Sequence, residues 1–183
     1  TGFYRLLDTI DPDRSELPAP RTVAIGPGEP PEWMLLEMLP LAVGPTEEII
    51  GQEHVIQLLG KLAVAPTERM IGRRGFPLAH WDAVAYLERV RTMYDSVLFV
   101  LGGSRWRKVQ SFFSEAMRWT ESRARVVVHG EFIEDNIIVT PDGDAVMVDF
   151  ENVGLGNRDH DFAWFWIHSE RHAEWKRELL ERW

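Results

Sequence analysis

Two short apolar runs on either side of a turn constrain the fold of this chain more than any other feature. Residues 136–149 read NIIVTPDGDAVMVD, so β-branched runs flank the turn formers PDGD, as is typical of a β-hairpin. If Thr140 pairs with Ala145, Asn136 lies opposite Asp149 on one face, with their Cβ atoms about 5 Å apart. Amide and carboxylate oxygens are ligands that Mg²⁺ accepts beside waters and phosphates. The hairpin therefore predicts a metal site at its open end.

A polar loop leads into this hairpin. Residues 125–128 (RVVV) predict another buried strand, and residues 129–136 (HGEFIEDN) follow it directly. A loop that is entered from one core strand and left by another is held at both ends, which suits catalysis. His129 alone would be read as a core histidine, but with Glu131, Asn136 and Asp149 nearby we interpret it as a residue of a site.

The composition excludes several classes of protein. The chain has 183 residues, no cysteine and a formal net charge of -9, so a disulfide scaffold and a thiolate metal site are excluded and non-specific nucleic-acid binding is disfavoured. No apolar run is long enough to span a bilayer, and the first residues lack the features of a secretory signal. We expect a cytoplasmic protein that binds neither nucleic acid nor membranes. Its oligomeric state cannot be read from the sequence.

The order of predicted elements indicates an α+β protein with two unequal parts. Residues 1–40 contain the end of a helix and two strands, which we interpret as the remainder of a small β lobe. Residues 41–45 form a hinge, and residues 46–183 form a mainly helical lobe with a short β insert.

The helical part shows apolar residues at helical spacing. A helix is predicted to start at Thr46, and a longer one to run from about Ala79 to Leu101, with another beginning after Ser104. The buried stripe of the first helix is predicted to consist of Val55, Leu58, Leu59 and Leu62.

Three stretches of the sequence belong together. Residues 129–136 (HGEFIEDN) and the later Asp149 are similar to the pattern His-Gly-Asp-x-x-x-x-Asn followed by a strand that ends in a metal-binding Asp. Residues 35–40 (LLEMLP) resemble a strand and hinge that receive adenine. Residues 154–163 (GLGNRDHDFA) resemble the stretch Gly-x-x-x-x-Asp-Leu-Ala that follows the metal Asp. With these motifs the chain resembles the aminoglycoside phosphotransferase and choline kinase group of protein-kinase-like enzymes.

The resemblance implies a protein-kinase-like fold and transfer of the γ-phosphoryl group of ATP to a hydroxyl of a small molecule. Residues 129–136 would be the catalytic loop and residues 136–149 the metal hairpin. In that loop Glu131 would accept the proton of the substrate hydroxyl, and Asn136 and Asp149 would hold Mg²⁺ on the phosphates.

Further roles follow from the same resemblance. Glu37 and Leu39 would offer main-chain groups to the adenine, and His129 and Asp161 would hold the loop structurally. Independently of the resemblance, the acidic Glu151 and Asp159 are weaker candidates for contacting a cationic substrate, and Trp164, close to Asp161, is a weaker candidate for bordering its pocket.

Two departures from the pattern oppose this interpretation. The pattern has Asp where this chain has Glu131, and one extra methylene moves the carboxylate by more than about 1 Å unless the backbone retreats. The chain also lacks a glycine-rich loop and a strand lysine, because Lys61, Lys108 and Lys176 lie on predicted helices. We therefore expect the sequence to be part of a longer protein and this part alone to bind ATP poorly.

Three alternatives stay open. A catalytically silent kinase-like binding module would explain both departures. A metal-dependent phosphoester hydrolase would need further His or Asp ligands that the sequence does not provide. A zinc site formed by His160, His168 and His172 lacks the spacing and the partner acid of a closed set.

Overall fold

The site is built on small sheets and short helices. The structure, a computed structural model, describes residues 2–28, 31–44, 46–65, 67–70, 79–81 and 123–183, together with seven helical positions between residues 105 and 119. In chain order the elements with defined bounds are α1 (Gly2–Ile10), β1 (Thr22–Ile25), β2 (Met34–Leu36), α2 (Thr46–Ile49), α3 (Gln52–Val64), α4 (Thr67–Met70), β3 (Ala79–Trp81), β4 (Arg125–Val128), β5 (Ile137–Val139), β6 (Ala145–Met147), β7 (Gly154–Asn157), α5 (Asp159–His168) and α6 (Ala173–Arg182). Single 3₁₀ turns cover Glu134–Asn136 and Phe150–Asn152.

The N-terminal part confirms the predicted helix end and hairpin. α1 buries Phe3 and Leu7, which are at most 1% exposed, and β1 pairs with β2 in an antiparallel ladder. Asp11 follows the helix, and its buried carboxylate accepts hydrogen bonds from the main-chain N–H groups of residues 15–17. These bonds stabilise the turn that leads to β1, because they satisfy N–H groups that no helix or strand pairs.

The helix predicted to start at Thr46 is interrupted. α2 ends at Ile49 and α3 begins at Gln52, with Gly51 in an extended conformation between them. Glycine loses more backbone freedom in a helix than other residues, so a break there is physically favoured. The predicted stripe of α3 is confirmed, since its four members are at most 2% exposed.

The largest sheet has the strand order β3-β7-β4. β7 is central, parallel to β3 and antiparallel to β4. The prediction that a helix starts at Ala79 is wrong, because residues 79–81 pair with β7. Residues 82–101 of that predicted helix lie outside the described residues. A Cβ on Gly156 would lie 3.1 Å from the Cβ of Trp81 and 3.2 Å from the methyl groups of Val128, so a glycine in β7 lets both neighbouring strands approach.

The β5–β6 ribbon is hydrogen-bonded to the N-terminal segments of the chain. Ala42 in the segment after β2 donates its N–H to the carbonyl of Val139 at 2.8 Å, and Met147 donates to the carbonyl of Pro18 at 2.8 Å. These bonds fix both strands of the ribbon to the residues around β1 and β2. In the described part of the chain, no helix is long and apolar enough to cross a membrane.

Candidate active site

Asp161, in the first turn of α5, fixes the start of loop 129–136. Its carboxylate is buried and accepts hydrogen bonds from the main-chain N–H groups of His129 at 2.7 Å and Gly130 at 3.0 Å. One of its oxygens also lies 3.1 Å from Nδ1 of His160. Bonds to an ionised acceptor are the stronger kind of hydrogen bond. Asp161 thus connects the first turn of α5 to the start of the loop.

His129 connects this loop to the β5–β6 ribbon. Its ring is fully buried, and Nε2 lies 2.8 Å from the carbonyl oxygen of Val148. Since a carbonyl only accepts, Nε2 carries the proton and Nδ1 does not; Nδ1 has no hydrogen-bond partner among the described residues. Burial lowers the pKa of His129, although Asp161 acts in the opposite direction. These contacts and the lowered pKa favour a neutral His129, and its structural role in the site stays a prediction.

Gly130 allows the loop to contact the turn at Phe150–Asn152. It has φ +83°, and a Cβ at this position would lie 2.2 Å from the carbonyl oxygen of Asn152. Glycine adopts this conformation without steric penalty and leaves room for the second backbone. Loop 129–136 and the turn after Asp149 are consequently in direct main-chain contact.

Asn136 joins the candidate metal ligands to the candidate base. Its Nδ2 donates to the main-chain carbonyl of Glu131 at 2.9 Å, and its side chain is buried. Its Oδ1 accepts no hydrogen bond from the described residues, so this oxygen is available for a cation. The predicted site loop is therefore closed on itself by an Asn136–Glu131 bond.

The predicted register of the ribbon is wrong by one residue. Val139 pairs with Ala145 and Ile137 with Met147, so Asn136 lies opposite Val148, whose N–H donates to the Asn136 carbonyl at 3.0 Å. The connection between the strands is consequently one residue longer than the predicted four-residue turn, since Thr140 belongs to it. Gly143, with φ +87°, donates to the carbonyl of Thr140 at 2.9 Å. A left-handed glycine at the end of a hairpin turn is common, and it shifts the pairing.

Asp149 departs from strand geometry at the end of the ribbon. It adopts φ 62° and ψ 55°, in the left-handed region, where non-glycine residues are uncommon. Its main-chain N–H donates to the hydroxyl of Tyr4 at 3.2 Å, and the residue is exposed. Burial raises the pKa of that tyrosine hydroxyl. Asp149 is therefore oriented by a local turn and a contact with α1, not by cross-strand pairing with Asn136.

Glu131 has a defined hydrogen-bond partner. Its half-buried carboxylate accepts a hydrogen bond through Oε2 from Nδ2 of Asn152 at 2.9 Å. Neither Asn152 nor Tyr4 was identified from the sequence. Asn152 lies three residues beyond Asp149, and an amide in a turn so close to a predicted metal ligand was the available signal. Tyr4 lies 145 residues away from Asp149 in the sequence and gave no signal.

Glu37 and Leu39 help to line a cavity of about 400 Å³. The N–H of Glu37 donates to the carbonyl of Arg21 at 2.9 Å, and Oε1 of Glu37 accepts from the N–H of Arg21 at 2.7 Å. The N–H and Oε1 of Glu37 are therefore both engaged with Arg21.

None of the weaker substrate candidates lines the cavity of about 400 Å³. Glu151 is exposed, Asp159 accepts a hydrogen bond from Nε1 of Trp183 at 3.0 Å, and Trp164 packs its ring 4.6 Å from that of His168. A larger cavity of about 1030 Å³ is lined by none of the three. It lies beside the end of loop 129–136, and its lining consists of Ile133, Glu134, Asp135, His168, Ser169, Glu170, Arg171, His172 and Trp175.

The described residues contain no group of three or more His, Cys, Asp or Glu side chains that could hold a metal ion. A metal at this site would therefore depend on Asn136 and Asp149 together with oxygens from a nucleotide or water. That arrangement is normal for Mg²⁺, which keeps several waters and uses few carboxylates.

Comparisons with known proteins identify the class to which this fold belongs. The fold is that of protein-kinase-like aminoglycoside phosphotransferases, as the sequence predicted. An aminoglycoside-3'-phosphotransferase of type VIII superposes with a TM-score of 0.59 at 20% identity, over 98% of this chain and 69% of that one. The GDP complex of wild-type aminoglycoside 2'-phosphotransferase-IIIa gives 0.63 at 13% identity, over 98% and 64%.

A choline/ethanolamine kinase family protein from Mesorhizobium loti gives 0.59 at 15% identity, over 90% of this chain and 55% of that one. No curated protein matches the sequence. The profile of the phosphotransferase enzyme family matches residues 1–183. The chain therefore belongs to the phosphotransferase enzyme family, and it spans 55% to 69% of the length of these three structures.

Proposed function

We propose that the full-length protein containing this chain is a kinase that transfers the γ-phosphoryl group of ATP to a hydroxyl of a small molecule. The observation that carries the proposal is the hydrogen bond from Nδ2 of Asn136 to the carbonyl of Glu131 at 2.9 Å. It joins a candidate metal ligand and a candidate base in one rigid loop, which Asp161 holds from the other side. Phosphoryl transfer depends mainly on such positioning and on charge neutralisation.

Each residue has one task in this proposal. The carboxylate of Glu131 accepts a hydrogen bond from the substrate hydroxyl and then its proton. Asn136 supplies Oδ1, and Asp149 supplies a carboxylate; both are hard oxygen donors and suit Mg²⁺. When bound, that ion neutralises the phosphate charge. The carbonyl of Glu37 and the main chain of Leu39 contact the base of the nucleotide.

The acceptor is a hydroxylated small molecule. The structural neighbours include aminoglycoside phosphotransferases and a choline/ethanolamine kinase family protein, so amino sugars and amino alcohols are the first compounds to test. The GDP complex of one neighbour makes GTP a necessary second donor in the same assay.

Replacing Asp149 provides the first test. We expect Asp149→Ala to lower magnesium-dependent phosphoryl transfer by at least about 10²-fold, because the ion that would neutralise the charge of the transferring phosphate loses its carboxylate ligand. The assay measures phosphorylated product with the full-length protein, ATP or GTP, and a panel of amines, sugars and amino alcohols. Asp142→Ala, in the exposed turn of the same hairpin, is the control. Full activity of Asp149→Ala would remove the metal assignment.

Glu131→Gln in the same assay distinguishes the kinase from the alternative, a catalytically silent binding module. The presence of Glu131 where the family pattern has Asp favours that alternative. A working base predicts a loss of about 10²- to 10⁴-fold in kcat. A silent module predicts that the wild-type protein binds nucleotide in calorimetry and transfers phosphate to no acceptor.

A further inference from the structure

We propose that Asn152 is a positioning residue that holds the carboxylate of Glu131 in the orientation required for phosphoryl transfer. The inference rests on the proposed kinase function and adds a residue that the sequence motifs do not include. Its starting point is the hydrogen bond from Nδ2 of Asn152 to Oε2 of Glu131 at 2.9 Å.

Glu131 is the principal partner of this amide. The second contact of Nδ2, with Oε1 of the exposed Glu151, is 3.4 Å long, beyond the usual range for N–H···O bonds. The carboxylate of Glu131 thus has one oxygen held by Asn152, and its other oxygen remains for the hydroxyl of an acceptor.

The backbone of Asn152 is held in place from two sides. Its carbonyl oxygen accepts a hydrogen bond from Nε1 of Trp81 at 2.8 Å, which connects it to the β3-β7-β4 sheet. The same oxygen lies 2.2 Å from the position that a Cβ on Gly130 would occupy. Because Gly130 directly precedes Glu131, the main chains that carry the two partners are in contact, and the distance their side chains must span is fixed.

A glutamate at this position needs such a partner. It has three rotatable side-chain bonds, and ordering a long side chain carries a large conformational entropy cost. A misplacement of about 1 Å near a reacting group reduces the rate by about 10²-fold. A donor on a rigid turn selects one orientation of the carboxylate before the substrate arrives.

The test compares Asn152→Ala and the isosteric Asn152→Asp with the full-length wild-type protein. We expect both variants to lower kcat by about 10- to 100-fold, with KM for nucleotide and acceptor and the melting temperature close to wild type. Asn157→Ala is the matched control. The side-chain oxygen of Asn157 accepts a hydrogen bond from the N–H of Asp159 at 2.8 Å, but Asn157 does not contact Glu131. The kcat of the Asn157→Ala variant should therefore stay at the wild-type value.

A mutant cycle and a length exchange complete the test. Once Glu131→Ala has removed the carboxylate, adding Asn152→Ala should lower kcat no further. Glu131→Asp shortens one of the two hydrogen-bonded side chains, and Asn152→Gln lengthens the other. The double variant should therefore be more active than Glu131→Asp alone.

The outcomes separate this inference from the proposed function. Wild-type kcat in Asn152→Ala, or additive losses in the cycle, would overturn the positioning role and leave the kinase intact. A wild-type protein that transfers phosphate to no acceptor and hydrolyses no nucleotide would overturn both.

Discussion

Gly130 is the residue at which the site has the least room for change. The sequence motif includes this glycine but does not show why a glycine is required. The atom that a side chain at this position would meet is the carbonyl oxygen of Asn152, which is distant in the sequence. The left-handed φ and the 2.2 Å approach to that carbonyl act together. An alanine there would have to move the backbone of the loop or of the turn.

Gly130→Ala should therefore destabilise the protein more than Gly143→Ala. Gly143 has a similar φ of +87°, but a Cβ at this position would have no other atom within 4 Å, so its replacement is expected to cost only about 1 to 2 kcal/mol from backbone strain. Gly130→Ala adds a main-chain clash and should cost clearly more. Urea denaturation of the two variants measures the difference, and equal losses would show that the turn at Asn152 yields freely.

Among the elements, loop 129–136 and the connection between α5 and α6 are joined by a largely buried ion pair. Nε of Arg171 donates to Oε1 of Glu134 at 2.9 Å, and the hydroxyl of Ser169 donates to the same oxygen at 2.8 Å. Arg171 also donates to the carbonyl of Ile50, just before α3, at 3.0 Å. Three separate segments thus meet at one guanidinium beside the larger cavity.

Removing the charge of Arg171 should be strongly destabilising. Its side chain is 8% exposed and that of Glu134 is 18% exposed, so Arg171→Met leaves a largely buried carboxylate without its positively charged partner, at a cost of about 3 kcal/mol. Adding Glu134→Gln should recover part of that loss. Arg69→Met is the control, because its pair with Glu16 is 58% and 41% exposed and exposed pairs contribute little. Chemical denaturation that ranks the two single variants equally would contradict this account.

For the whole molecule, the buried neutral His129 makes stability depend on pH. The folded pKa is lowered by burial, whereas the unfolded chain has the ordinary value of about 6.5. Below that pH the unfolded state binds more protons than the folded state, so the stabilisation is complete above about pH 6.5 and is lost as the pH falls towards the folded pKa.

We expect the free energy of unfolding to decrease between pH 7 and pH 5 by up to about 1.4 kcal/mol per pH unit from this single group. His129→Asn keeps a donor for the Val148 carbonyl but does not titrate, so it should be less stable at pH 7 and show a shallower slope. Urea denaturation at several pH values provides the measurement. Parallel slopes for the two proteins would assign the acid sensitivity to other groups.

Much of the fold and of the site could be predicted because some of its signals are local. α1, the β1–β2 hairpin, β4 and the buried stripe of α3 follow from propensity, turn residues and periodicity over a few neighbouring positions. The candidate set of Glu131, Asn136 and Asp149 was proposed from motif spacing, and the structural roles of His129 and Asp161 stay predictions that their buried hydrogen bonds support.

Tertiary contacts and local turn geometry decided the remainder. β3 pairs with β7 although Ala79–Trp81 lies in a stretch with helical periodicity, and the ribbon register depends on the left-handed Gly143. Asp149 is turned by Phe150–Asn152 and by Tyr4, and the carboxylate of Glu131 is held by Asn152. In each of these cases the deciding hydrogen bond or backbone angle involves a partner or a turn geometry that side-chain pattern does not encode. The amino-acid order therefore specifies which chemical groups the site contains, and the packing of distant segments specifies where their atoms point.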